Sequence, residues 1–109
     1  MIVEKLSKIE DRRAVIEIKK ATDSTYFPIE SEIVQKLLKV YQEVTGDTKN
    51  MPITMGGGTY SKTLKNCIAF GCAFPNINNK IHEANEYVDI QELLLQVEIY
   101  VHAILELLK

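Results

Sequence analysis

The sequence predicts an α/β protein, and three observations carry that expectation. Apolar residues recur at helical spacing in three separate stretches, one run of alternating residues lies between the first two, and short apolar segments bounded by polar or glycine-rich turns lie between the last two. The resulting order of helix, strand, helix, strand, helix is that of an α/β chain. Its 109 residues suit one ordinary domain with a modest core. A composition of 46% hydrophobic and 26% charged residues belongs to a globular chain rather than a disordered one.

Taken in order, Ile2, Leu6 and Ile9 fall on one helical face, so residues 2–10 read as a short amphipathic helix. Asp11, Arg12 and Arg13 turn the chain, and residues 14–20 alternate as a half-buried strand with Ile16 and Ile18 on one face. A helix and a strand of about 20 residues cannot form a core by themselves. Residues 23–30 have the composition of a crossing segment, with Pro28 holding Phe27 extended. Ile33, Val34, Leu37, Leu38, Tyr41 and Val44 then draw an apolar stripe over residues 31–45, closed by Gly46 as a C-cap.

A polar loop at 47–50 leads to a short strand at 51–55, which runs into Gly56, Gly57 and Gly58. Residues 61–66 read as a helical turn and 67–70 as a short buried strand. The last element, over 89–109, has the strongest periodicity. Ile90, Leu94, Val97, Val101, Ile104 and Leu108 are spaced by four and three, the spacing of a core seam. Leu93, Leu95, Ile99, Leu105 and Leu107 widen the apolar surface beyond that seam, so this helix needs cover on more than one side. A sheet in a longer, complete protein would supply it; in a chain this short, a second copy is another way.

Several function classes drop out on composition. A formal net charge of −2 leaves no basic footprint for nucleic acid. No apolar run reaches the roughly 18 to 20 residues a bilayer requires, and Met1 to Lys5 opens no signal peptide, so the expected setting is cytoplasmic with no membrane partner. Cys67 and Cys72 match neither a redox pair nor a zinc knuckle and read as two buried, reduced thiols.

Two stretches have the residue types for chemistry. Residues 70–87 open apolar, pass through a Pro and Asn-rich turn, and present His82 among Glu83, Asn85 and Glu86. Such a loop can deliver a ligand or a base. On spacing alone a solvated connection is the simpler reading, since no second ligand follows at metal spacing. The triple glycine at 56–58 permits backbone conformations that a side chain forbids and lets a ligand approach the main chain, or it makes a tight strand-to-helix turn. A nucleotide loop does not fit: Ser61 stands where a third glycine is needed, and Lys62 follows no glycine.

Three motifs in series, residues 21–28, Gly56 to Tyr60, and residues 70–87, resemble the C-terminal part of di-zinc dipeptidases of the Xaa-His dipeptidase and carnosinase type, within the aminoacylase and carboxypeptidase superfamily. The resemblance runs from about Arg13 to Lys109 with similar gaps between the motifs. It implies part of a three-layer α/β zinc-peptidase catalytic domain, formed by residues 23–109, preceded at 1–22 by the last helix and strand of a lid domain. It also implies that His82 binds metal and that Gly57, Gly58 and Thr59 stand nearest the C-terminal end of a dipeptide substrate. In the complete enzymes two zinc ions serve hydrolysis of the peptide bond.

The family's other zinc ligands, bridging aspartate and general-base glutamate lie in an N-terminal segment without counterpart here. No catalytic residue is therefore assigned to this chain, which is expected to be inactive and to hold no zinc stably by itself. A catalytic zinc needs about three protein ligands, and one histidine cannot supply them. Glu83 and Glu86 read as solvated charges, and His102 as a packed or surface imidazole. The expected partner is the missing N-terminal segment or a second copy. Two alternatives stand beside this reading: a non-catalytic, homo-oligomeric interaction protein descended from such an enzyme, and a portion of an N-acyl amino acid amidohydrolase. Residues 21–28 and the triple glycine favour the dipeptidase branch.

Overall fold

Local chemistry sets the limits of both long helices. The computed structural model describes residues 2–9, 13, 15, 17, 23–71, 73–78 and 80–109. Within it α1 spans Ile2–Ser7, α2 spans Glu32–Thr45 and α3 spans Ile90–Leu107, with a single 3-10 turn at Tyr60–Thr63. Ser31 precedes α2 in an extended conformation, and both its hydroxyl and its N–H donate to the Pro28 carbonyl, at 2.6 and 3.0 Å. At the other end Gly46 turns left-handed, with φ of 72°, and its N–H donates to the Gln42 carbonyl at 2.9 Å. A glycine tolerates that conformation without a Cβ penalty, so the helix stops there. Asp89 starts α3 by accepting from the N–H groups of Gln91 and Glu92, at 2.8 and 3.4 Å.

α2 and α3 are the two elements that pack on one another among the described residues. Leu37 and Val40 of α2 meet Ile99 and Ala103 of α3 in a buried cluster, and the small Ala103 lets the helices approach closely. Tyr41, Val44, Ile68, Phe70, Phe74 and Leu95 pack around it, with Phe70 set edge-on to Tyr100 at 6.2 Å between ring centroids. One rim is closed by Glu106, whose carboxylate lies 3.5 Å from Lys39 and also pairs with Lys109. The two lysines, Lys109 foremost, hold the Glu106 carboxyl below its ordinary range.

The expected α/β architecture is not seen among the described residues, whose regular elements are all helical. Residues 51–55 are exposed and form no strand, and residues 67–70 form none either. A strand exists through its partner: without a neighbour to accept the ladder hydrogen bonds, an extended segment stays irregular. Ile68 and Phe70 nonetheless turn inward onto the helix pair, as their alternation suggests. Of the alternating run at 14–20 only Val15 and Glu17 are described, both exposed and in no strand; the rest of the run and Cys72 lie outside the described residues, and Cys67 is half-buried rather than buried.

The seam of α3 is a second correction. Ile90, Leu94, Val97, Val101, Ile104 and Leu108 are between 51% and 79% exposed, whereas Ile99 and Ala103 are the buried residues of the helix. α2 packs against the opposite face, where Ala103 permits close contact. The radius of gyration, 18.5 Å, exceeds the roughly 13 Å of a compact chain of this length, in keeping with a core of few residues. No described helix is long and apolar enough to cross a membrane.

Candidate functional site

The glycine turn is built outward from Thr59. Its hydroxyl oxygen accepts from the Ser61 N–H at 3.2 Å and lies 2.6 Å from the Ser61 hydroxyl, while its carbonyl accepts from the Lys62 N–H at 3.1 Å. These bonds start the 3-10 turn and leave Gly57, Gly58 and Thr59 exposed beside it. Among the glycines only Gly46 has a positive φ, so the conformational freedom expected at 56–58 is not what these positions use. A Cβ at Gly56 or Gly57 would meet nothing within 4 Å, and one at Gly58 would make ordinary contact with the Lys62 side chain at 3.7 Å. The fold itself thus has room for side chains here.

The histidine loop owes its shape to several left-handed residues. Asn76, Lys80, His82 and Asn85 have φ between 56° and 66°, a conformation that asparagine and histidine adopt more readily than most side chains. Lys80 N–H donates to the Asn78 side chain at 3.1 Å, Glu83 N–H to the Lys80 carbonyl at 2.9 Å, and the Tyr87 hydroxyl to the Asn78 carbonyl at 2.9 Å. The backbone N–H of His82 donates to Glu86 at 3.3 Å. Glu86 therefore braces the main chain at His82, and the exposed imidazole makes no hydrogen bond among the described residues.

No hydrogen bond or ion pair joins the histidine loop to the glycine turn among the described residues. Nor does any group of three His, Cys, Asp or Glu side chains converge in a metal-binding arrangement there. A zinc centre does not fit these residues alone, because one imidazole falls short of the three protein ligands a catalytic zinc takes. His102 is exposed on α3, far along the chain from either loop.

A polar knot that the motif reading missed closes the end of α2. Asp47 accepts from the Asn50 amide at 2.7 Å, the Tyr41 hydroxyl at 2.9 Å, and the N–H groups of Lys49 and Asn50 at 3.0 and 3.1 Å. These donors, the Asn50 side chain first, lower the Asp47 carboxyl to about 2. Burial, then the neighbouring carboxylate, pushes the Tyr41 hydroxyl up. The local signal was present: an aspartate just past a helix-ending glycine, with asparagine three residues on, is turn chemistry. A cleft of about 360 Å³ opens beside the knot, lined by Tyr41, Asp47, Asn50, Phe74, Gln91 and Leu95.

The folded carboxyl of Asp47 titrates below its unfolded value, so its stabilising effect is present above about pH 4 and is lost as pH falls toward about 2. Acid titration followed by circular dichroism is expected to show that loss, and Asp47→Asn is expected to remove most of the dependence in that window.

The peptidase family M20/M25/M40 matches residues 4–106. The chain belongs to this family. Among curated relatives, the Beta-Ala-Xaa dipeptidase of Lactobacillus delbrueckii subsp. lactis is 39% identical over 84 residues, which is 77% of this chain and 18% of that protein. Among several relatives named "Putative dipeptidase" are YtjP of Bacillus subtilis, 40% identical over 77 residues (71% of this chain, 16% of that protein), and SH1171 of Staphylococcus haemolyticus, 36% identical over 92 residues (84% and 19%). The chain thus spans less than a fifth of the length of these relatives. No solved structure matches it significantly.

Proposed function

We propose that this M20-family chain is the C-terminal portion of a zinc-dependent dipeptidase that hydrolyses the peptide bond of free dipeptides in the cytoplasm, and that the chain alone is inactive. The observation carrying this reading is one unengaged imidazole, His82, presented on a braced loop within a sequence whose relatives are named dipeptidases. His82 would supply one ligand to a metal site whose other ligands come from outside this stretch. Gly57, Gly58 and Thr59 would line the C-terminal end of the dipeptide, where the open space above Gly56 and Gly57 suits close approach to the main chain.

In the same reading residues 1–22 belong to a lid domain and 23–109 to a three-layer α/β catalytic domain. Segments 51–55 and 67–70 become strands once neighbouring strands accept their hydrogen bonds. An N-acyl amino acid amidohydrolase has no observation of its own in its favour. Self-association is favoured by the exposed seam of α3.

A graft tests the assignment. The matching part of the Lactobacillus dipeptidase is replaced by this chain, and hydrolysis of a free dipeptide is compared with that of an acetylated amino acid. The dipeptide is expected to be preferred. His82→Ala is expected to lower kcat/KM of the graft by more than the roughly 10- to 100-fold that loss of an outer partner of a metal ligand costs. The same substitution in the 109-residue chain is expected to change stability by about 0.5 kcal/mol or less, since the ring makes no bond. A folded graft that ignores His82→Ala, or prefers the acetylated substrate, would overturn the proposal.

A further inference from the structure

Glu83 and Glu86, two solvated charges as the sequence presents them, separate in the structure. The Glu86 carboxylate accepts the backbone N–H of His82 at 3.3 Å, whereas Glu83 joins the loop through its own N–H, which donates to the Lys80 carbonyl at 2.9 Å. That second bond closes a four-residue turn from Lys80 to Glu83, with His82 at the third position. There φ is 65°, while Ile81 at the second position is not left-handed. A positive φ at the third position is what a type II turn requires, and glycine or asparagine ordinarily fills it. Histidine costs more backbone energy there than glycine does, and such a conformation persists where the surroundings hold it.

We infer that Glu86 is a positioning residue: its carboxylate holds His82 in the left-handed conformation and so fixes where the loop carries the imidazole. The inference rests on the proposed role of His82. Glu86 lies beyond the turn and takes hold of the main chain at the residue whose side chain is presented, so the bond and the ring share one Cα. A change of φ there from positive to negative turns the preceding chain relative to Cβ, which re-aims the ring as a body.

Other bonds tie the rest of the loop. The Tyr87 hydroxyl donates to the Asn78 carbonyl, and the Lys80 N–H to the Asn78 side chain. These fix the span of the loop and leave the torsion at His82 to Glu86. At the long end of hydrogen-bond distances, the Glu86 bond selects between backbone states and does not hold the fold. Glu86 and His82 are both exposed, so replacing Glu86 empties no core space. Both groups lie in one loop, and the brace needs no neighbouring segment to complete it.

NMR of the full 109-residue chain reads this torsion directly. At positive φ the amide proton and Hα of one residue lie closest, so His82 is expected to give a strong cross-peak between them. Glu86→Ala is expected to weaken that peak and to speed exchange of the His82 amide proton roughly 10-fold, the effect of losing one hydrogen bond to a charged group, with helical circular dichroism unchanged. Glu86→Gln keeps an acceptor oxygen without the charge and is expected to restore most of both signals. Tyr87→Phe is expected to leave the His82 peak in place. In the graft, Glu86→Ala is expected to lower kcat/KM about 10-fold, with Glu86→Gln recovering most of it. A His82 peak and exchange rate that ignore Glu86→Ala would overturn the inference, as would Glu86→Gln behaving like Glu86→Ala, or a larger effect from Tyr87→Phe. A graft that loses activity with His82→Ala but not with Glu86→Ala would overturn it too. Indifference of the graft to His82→Ala counts against the role of His82 alone, and the brace is then judged by the His82 amide.

Discussion

Ile99→Ala is expected to lower the stability of the folded chain by about 2–4 kcal/mol, the range for removing three methyl or methylene groups from a buried site. Ile99 is 3% exposed and shares the central cluster with Leu37 and Val40 of α2, so the vacated space lies between two helices held apart by other contacts. Alanine's better helix propensity returns only about 0.4 kcal/mol. With five buried apolar residues among those described, the loss is a large fraction of the stability available to such a chain. Leu94→Ala makes the control. Leu94 is 58% exposed, and its replacement is expected to cost about 0.5 kcal/mol or less when measured below the concentration of self-association. Urea unfolding followed at the helical signal separates the two, provided the slope stays constant. Equal losses for Ile99 and Leu94 would mean that the seam, not the Ile99 side, faces the core.

That contrast marks how far the sequence could be read. The ends of α2 were legible because Ser31 and Gly46 act through local backbone geometry. The extent of α3 was legible for a similar reason, with Asp89 as its cap. Which side of α3 would be buried was not legible, because periodicity counts apolar faces and says nothing about which partner arrives at which. The side that α2 takes is the one with Ile99 and the small Ala103, a side chain that allows close helix approach. Segments 51–55 and 67–70 failed as strands for a related reason, since their residue types specify an extended chain but no described neighbour pairs with them.

The candidate site divides in the same way. His82 and the glycine turn were visible as motifs, and asparagine and histidine at the left-handed positions of the loop are residue types that favour such bends. What holds the loop, the bond from His82 N–H to Glu86 and that from Tyr87 to the Asn78 carbonyl, depends on side-chain reach that spacing does not fix. No group of three His, Cys, Asp or Glu side chains converges among the described residues, so the family membership is carried by the motifs and not by an assembled centre.

Gly71→Ala is the second substitution expected to show a sizeable effect, and its sign depends on Tyr100. A Cβ at Gly71 would stand 2.9 Å from the Tyr100 hydroxyl, closer than real Cβ contacts. Tyr100 is 39% exposed, and swinging outward gives up its edge-on contact with Phe70, a contact of about 0.5–1.5 kcal/mol beyond its area. Against this stands the roughly 0.4–1 kcal/mol that alanine contributes by restricting the unfolded chain. Displacing the ring also uncovers Phe70 at the edge of the core, so the expected balance is a net loss of about 1 kcal/mol. In a Tyr100→Phe background the hydroxyl is absent and the ring remains. There Gly71→Ala is expected to be neutral or slightly stabilising. The double-mutant cycle therefore isolates the contact. An equal cost of Gly71→Ala in both backgrounds would show that backbone conformation at position 71, rather than the approach of Tyr100, requires glycine.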